Sequence, residues 1–207
     1  MEWMNREQEI MEKGIPIMEP RFKKNMEQAG KYQELHANEV MTGFLESFDK
    51  VFRWGIDLQK KDEKGKIDKI AVFFLRSSIR TKSYDVYIQI YDSNFYMDKQ
   101  EVCGVWKPKF IMQYYDEDIL FFERNISSEV IRVEKGELRN FEMRLASDYM
   151  KMVLVFLGLH LTELFQLTSF DELEKTDSFQ VIFGELYGAY EVLFDAGEAN
   201  GQAEGEI

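Results

Sequence analysis

The stretch from Leu138 to Leu167, LRNFEMRLASDYMKMVLVFLGLHLTELFQL, constrains the fold of this chain more than any other. Apolar side chains recur at Phe141, Leu145, Tyr149, Met152, Val153, Phe156, Leu159 and Leu164, the spacing of one helical face. From Met152 to Leu161 the run is apolar on nearly every side, and a helix apolar all round is expected to be buried all round. That run is far short of the roughly 20 residues needed to cross a bilayer. Glu142, Arg144, Asp148, Lys151 and Glu163 mark its outer turns. The spacing predicts the buried central helix of a soluble domain.

Helical patterns also precede it. Residues 2–13 form a short helix candidate with Trp3, Met4, Ile10 and Met11 on one stripe, and Gly14-Ile15-Pro16 is expected to end it. A second pattern resumes at Pro20, and Asn38 stands where it would cap a third. That third helix carries Val40, Met41, Phe44, Phe48, Val51 and Phe52, a clean apolar stripe. Lys60 to Lys66 reads as a solvated turn, after which the period changes from 3.6 to 2. The continuous run Ile70–Leu75 suits a strand covered on both faces, and Tyr84–Tyr91 alternates as the second strand of an antiparallel hairpin. Phe95–Met97 and Val102–Trp106 are expected to add two short strands.

Pro108 opens a predicted helix of about 15 residues through Phe122, interrupted by Asp116-Glu117-Asp118. Ser169 and Glu172 have the spacing of a capping box. A final helix is predicted from near Asp177, with Phe179, Ile182, Phe183, Leu186, Tyr187, Tyr190, Leu193 and Phe194 on its stripe. The organisation expected is an N-terminal helical arm (1–19), a single α+β domain (20–195) and a disordered acidic tail (196–207). The domain is an antiparallel meander of three or four strands packed against four or five helices, with the buried helix at 138–167.

The charge narrows the partners. With 26 basic and 38 acidic residues the net charge is −12, which repels nucleic-acid backbones and anionic headgroups and favours basic partners through salt-dependent steering. Cys103 is the one cysteine, so no internal disulfide forms. Glu2, Glu7, Glu9 and Glu12 leave no apolar signal region at the N-terminus, and a cytoplasmic location is expected.

One basic stretch stands out in this acidic chain. From Lys69 to Tyr84 there is no carboxylate, and Lys69, Arg76, Arg80 and Lys82 interleave with Ser77, Ser78, Thr81 and Ser83. Arginine forks onto carboxylates and phosphates, and hydroxyls complete such a shell. Arg76, Arg80, Lys82, Ser78 and Ser83 are the candidate anion site, though no glycine-rich phosphate loop accompanies them. His36 and His160 each precede a glutamate by three residues, but a metal needs more ligands than either pair supplies, and no metal or cofactor is expected. Cys103, between apolar neighbours, lacks the base and positive setting of a catalytic thiol. Asp116, Glu117 and Asp118, beside Tyr114 and Tyr115, form the densest acidic and aromatic cluster and the candidate acidic interface.

No hydrolase, metalloprotease or dinucleotide motif is present. The expectation is a non-catalytic, acidic, cytoplasmic protein-binding module, of adaptor or immunity and antidote kind, that binds a basic partner and neither nucleic acid nor membrane. Surface aromatics in an acidic surround would suit such an interface. The alternatives are a binder or enzyme for a small anion using Arg76, Arg80 and Lys82, and a structural homo-oligomer, with a homodimer formed through the N-terminal arm or the last helix.

Overall fold

Two prolines sit inside the first helix without ending it. The computed structural model describes residues 6–199, and its first element, α1 (Arg6–Leu35), runs unbroken through Gly14, Pro16 and Pro20. The expected break at Gly14-Ile15-Pro16 is thereby corrected. Both prolines are exposed, so the Glu12 and Pro16 carbonyls that lose a backbone donor lie on the wet side of the helix. The buried side runs Ile10, Gly14, Met18, Asn25 and Ala29. Trp3 and Met4 fall outside the described residues.

The chain divides into two compact units, one from Met1–Val40 with Pro108–Val155, the other from Met41–Lys107 with Phe156–Ile207. In the first, α1 packs with α4 (Lys109–Glu129) and the leading part of α5 (Arg139–Leu159). Ile111, Tyr115, Asp118, Ile119, Phe122 and Ile126 form the buried stripe of α4. Phe122 stacks on Phe141 of α5 at 3.9 Å and 13°, and a Cβ on Gly14 would come within 2.6 Å of the Phe141 ring. Glycine here lets α1 press against that ring pair.

The second unit is built on a five-stranded sheet in the order β3-β2-β1-β4-β5, comprising β1 (Ile67–Phe74), β2 (Val86–Tyr91), β3 (Val102–Trp106), β4 (Lys175–Glu185) and β5 (Tyr190–Asp195). The class is mixed α+β as the sequence predicts. The meander is corrected in extent: β1, β2 and β3 pair antiparallel, β4 joins β1 in parallel, and β5 returns antiparallel to β4. The predicted last helix is this β4–β5 hairpin, and the strand expected at Phe95–Met97 is a 3-10 turn. Val181, Ile182, Phe183 and Gly184 are all buried, so β4 shows a continuous apolar run in place of an alternation.

One sheet face is covered by helices. From α2 (Ala37–Gln59), Val51 lies against Gly104 and Gly55 against Ile90. Phe44 of α2 packs edge-on to Trp106 at 5.2 Å and to Phe156 at 5.3 Å. Phe44, Phe48 and Phe52 are fully buried, each contributing about 1.5–3 kcal/mol of transfer free energy. The short helices α6 (Leu161–Phe165) and α7 (Thr168–Glu172) add Phe165 against Phe194 at 4.8 Å and Phe170 against Phe52 at 5.9 Å. A five-residue helix, α3 (Arg76–Arg80), links β1 to β2.

Three local expectations need correction. The helix predicted over 138–167 pauses at His160, and Val155 and Leu159 are 58% and 71% exposed, so the apolar run is not buried all round. Ser169 does not cap α7, whose N-cap is Leu167; its hydroxyl donates to Asp49 Oδ1 at 2.6 Å. Lys64, in the turn expected to be solvated, has a fully buried side chain. Residues 196–199 make a helical turn, and the rest of the predicted tail lies outside the described residues.

Candidate functional site

Strand register decides which side chains share the sheet face opposite α2. Lys69, Ala71 and Phe73 of β1 align with Tyr91, Gln89 and Tyr87 of β2, and with Gln180, Ile182 and Gly184 of β4. Cys103 and Val105 of β3, and Tyr190, Val192 and Asp195 of β5, extend the same face to the two edges. Its core is small: Ala71, Phe73, Tyr91 and Ile182, with Phe95 and Leu186 packed on them.

The loop from β2 to β3 folds back over that core. Asp98 holds it there, accepting the Asp92 N–H at 2.9 Å and the Gln100 N–H at 3.0 Å. Lys64 reaches the same carboxylate at 2.5 Å and the Gln100 carbonyl at 2.8 Å. Burial pushes the Asp98 carboxyl up, but Lys64 and the two backbone donors outweigh burial and hold it below its ordinary value. The fold-back leaves Phe95 at a φ of 51°, in the left-handed region.

An aromatic cluster results. Phe95 lies 5.0 Å from Tyr91 and 4.0 Å from Tyr96; Tyr96 lies 5.0 Å from Tyr187; Tyr190 stands edge-on to Phe95 at 6.1 Å. Such offset and edge-on pairs are favourable beyond the area they bury. The outer rings stay in water: Tyr187 is 78% exposed, with Tyr96, Tyr190, Met97, Val105 and Val192 also exposed. Tyr187 sits in the β4–β5 turn at a φ of 60°, in the left-handed region. Burial, then neighbouring Tyr96, raises the Tyr91 phenol, which donates to Gln89 Oε1 at 2.9 Å. Gln89 in turn donates to Glu101 at 3.3 Å.

Charge is uneven along the second unit. Residues 156–207 hold eleven carboxylates and one lysine, whereas 41–107 hold ten carboxylates and twelve basic residues. The acidity therefore gathers in the sequence that supplies β4 and β5. β5 is one of the two sheet edges, with Glu191 exposed and Asp195 half-buried along it.

The candidate anion residues lie on and after α3. Arg76 is exposed and pairs with Glu185 at 2.7 Å. Ser78 is buried, donating its hydroxyl to the Leu75 carbonyl at 2.8 Å, and its own carbonyl accepts the Ser83 N–H at 3.0 Å. Arg80 and Lys82 are exposed, Lys82 at a φ of 57°. The side chains of Arg76 and Ser78 are thus tied to the protein itself.

Of the acidic interface candidates, Glu117 is exposed and Asp116 half-buried, but Asp118 has no exposure at all. Consecutive helical residues point about 100° apart, so three acids in a row cannot share a face. Asp118 falls on the buried stripe. It accepts Arg21 Nε at 2.5 Å, Asn25 Nδ2 at 2.7 Å and the Tyr149 hydroxyl at 2.7 Å. Burial raises its carboxyl, against the pull of Tyr149 and Arg21.

Burial, then Glu101, pushes the Cys103 thiol up to about 11, so it stays protonated at neutral pH and is a poor nucleophile. His160 Nδ1 lies 3.2 Å from Glu163 and His36 Nδ1 lies 3.7 Å from Glu39. Among the described residues, no group of three or more His, Cys, Asp or Glu side chains is placed to hold a metal, and no helix is long and apolar enough to cross a membrane.

The exposed tyrosines were not singled out by spacing. Their local signal is turn chemistry: Ser93-Asn94 before Phe95-Tyr96, and Gly188 after Tyr187. Compared with known protein families, curated proteins and solved structures, the chain matches none of them.

Proposed function

We propose that this chain is a non-catalytic protein-binding module, of adaptor or antidote kind, and that the tyrosine-bearing face of its sheet is the binding surface. The observation that carries this reading is the cluster of Tyr96, Tyr187 and Tyr190, exposed beside the acidic edge strand β5. Tyrosine offers large amphipathic contact area at low entropic cost and is enriched at interfaces. An edge strand carries unpaired backbone groups that an extended segment can complete. The partner is a protein presenting a lysine- and arginine-rich extended segment. Its backbone adds beside β5, its apolar side chains lie on Tyr190, Val192 and Tyr187, and its bases meet Asp195 on that face and Glu191 on the opposite side of the edge strand.

The test uses the full chain as bait in the lysate of its source cell, washed at low and at high salt. A Tyr96→Ser, Tyr187→Ser, Tyr190→Ser triple variant and a Glu191→Lys, Asp195→Lys double variant run beside it. The expected result is one stoichiometric basic protein, released by salt and lost from both variants. Capture that is unchanged in the triple variant, or only of acidic proteins, overturns the reading.

A further inference from the structure

A second feature, in the other unit, points to a small molecule. Between α1 and the leading part of α5 lies a cleft of about 350 Å³, lined by Ile15, Met18, Glu19 and Phe22 on one side and Phe141, Arg144, Leu145 and Asp148 on the other. This is within the size range of small-ligand sites. Its floor is apolar: Met18, Phe141 and Leu145 are each buried, and Ile15 is half-buried.

The walls are held before any ligand arrives. Phe141 is stacked on Phe122 and backed by Gly14, so its ring has no room to turn into the cleft. Phe22 stands edge-on to Tyr149 at 5.2 Å, and Tyr149 is anchored by its hydrogen bond to Asp118. A pre-formed apolar wall lowers the ordering cost of binding.

Three charged side chains rim the cleft, and two are already matched. Glu19 pairs with Lys23 at 2.9 Å, and Asp148 pairs with Lys151 at 2.9 Å. Arg144 is exposed and makes no ion pair among the described residues. The charge left unmatched beside the apolar floor is therefore a guanidinium, whose planar fork suits a carboxylate.

We propose that this cleft binds a monocarboxylic acid with an apolar aliphatic or aryl body, the body lying on Met18, Phe22, Phe141 and Leu145 and the carboxylate on Arg144. The class follows from one unpaired cation over a hydrocarbon floor. An amine would meet Arg144 by repulsion, and an alcohol would leave the guanidinium without a counter-charge.

The experiment titrates the full chain with octanoate, 1-octanol and octylammonium, following the methyl resonances of Met18 and Ile15 by NMR, in wild type and Arg144→Gln. Because Arg144 is exposed, the variant keeps its fold, which the unperturbed spectrum verifies. The expected result is saturable shifts with octanoate, weakened about tenfold or more by the substitution, and weaker binding of octanol that the substitution leaves unchanged. Octylammonium binding as tightly as octanoate, equal octanoate binding by wild type and variant, or no saturable shift with any probe overturns the proposal.

Discussion

The Lys64 ammonium lies 2.5 Å from the Asp98 carboxylate, with the two side chains 0% and 4% exposed. The pair fastens the β2–β3 loop, and with it Phe95 and Tyr96, to the turn that follows α2. Removing one partner of a buried pair strands the other charge. Lys64→Met is therefore expected to destabilise by about 3–5 kcal/mol, and Lys64→Met with Asp98→Leu by clearly less. Urea denaturation of the single and double variants checks this.

The same pair sets an acid limit. The folded carboxyl of Asp98 titrates below its ordinary value of 3.8, so its contribution is fully present above that value and is lost as pH falls through the folded one. Stability measured by denaturant from pH 7 down to pH 3 should decline in its lowest range, and the decline should be shallower in Asp98→Asn.

Asp118 runs the other way. Its folded carboxyl titrates above the ordinary value, so its contribution is complete below that value and diminishes as pH rises through the folded one. Asp118→Asn should remove this slope while keeping an acceptor for the Tyr149 hydroxyl. Asp118→Leu, which leaves Asn25 and Tyr149 without this acceptor and Arg21 with only the more distant Glu117 at 3.8 Å, should cost about 3–5 kcal/mol. Parallel denaturation series for the two variants separate the charge from the hydrogen bonds.

Gly184 tests the hairpin. A Cβ there would meet the Ala189 carbonyl and lie 2.6 Å from the Tyr190 Cα, both backbone atoms that cannot swing aside. Gly184→Ala is expected to cost about 1–3 kcal/mol and to loosen β5. Faster hydrogen exchange at Val192 and Phe194, with exchange in β2 unchanged, would register it.

Local periodicity carried part of this architecture. The stripes of α2, α4 and α5, the alternation of β2 and the run of β1 were readable because one covered face repeats at 3.6 or 2 residues. The hairpin of β4 and β5 was not. Phe179, Ile182, Phe183, Leu186, Tyr187 and Tyr190 also satisfy a helical repeat, and a strand buried on both faces loses its own period. The β-branched Val181, Ile182 and Val192, with Gly184 and Gly188, were the competing strand signal.

The amino-acid sequence by itself determined the α+β class, the net charge of −12 and the absence of an internal disulfide, because these follow from composition and short-range pattern. Tertiary structure alone decided that β1 pairs in parallel with β4 and that Asp118 sits inside while Glu117 stays out. It also decided that Lys64 finds Asp98, and that Tyr96, Tyr187 and Tyr190 gather on one sheet face. Each of these joins residues far apart in the chain, and such contacts form only where the packing of many elements offsets the entropy of closing the loops between them.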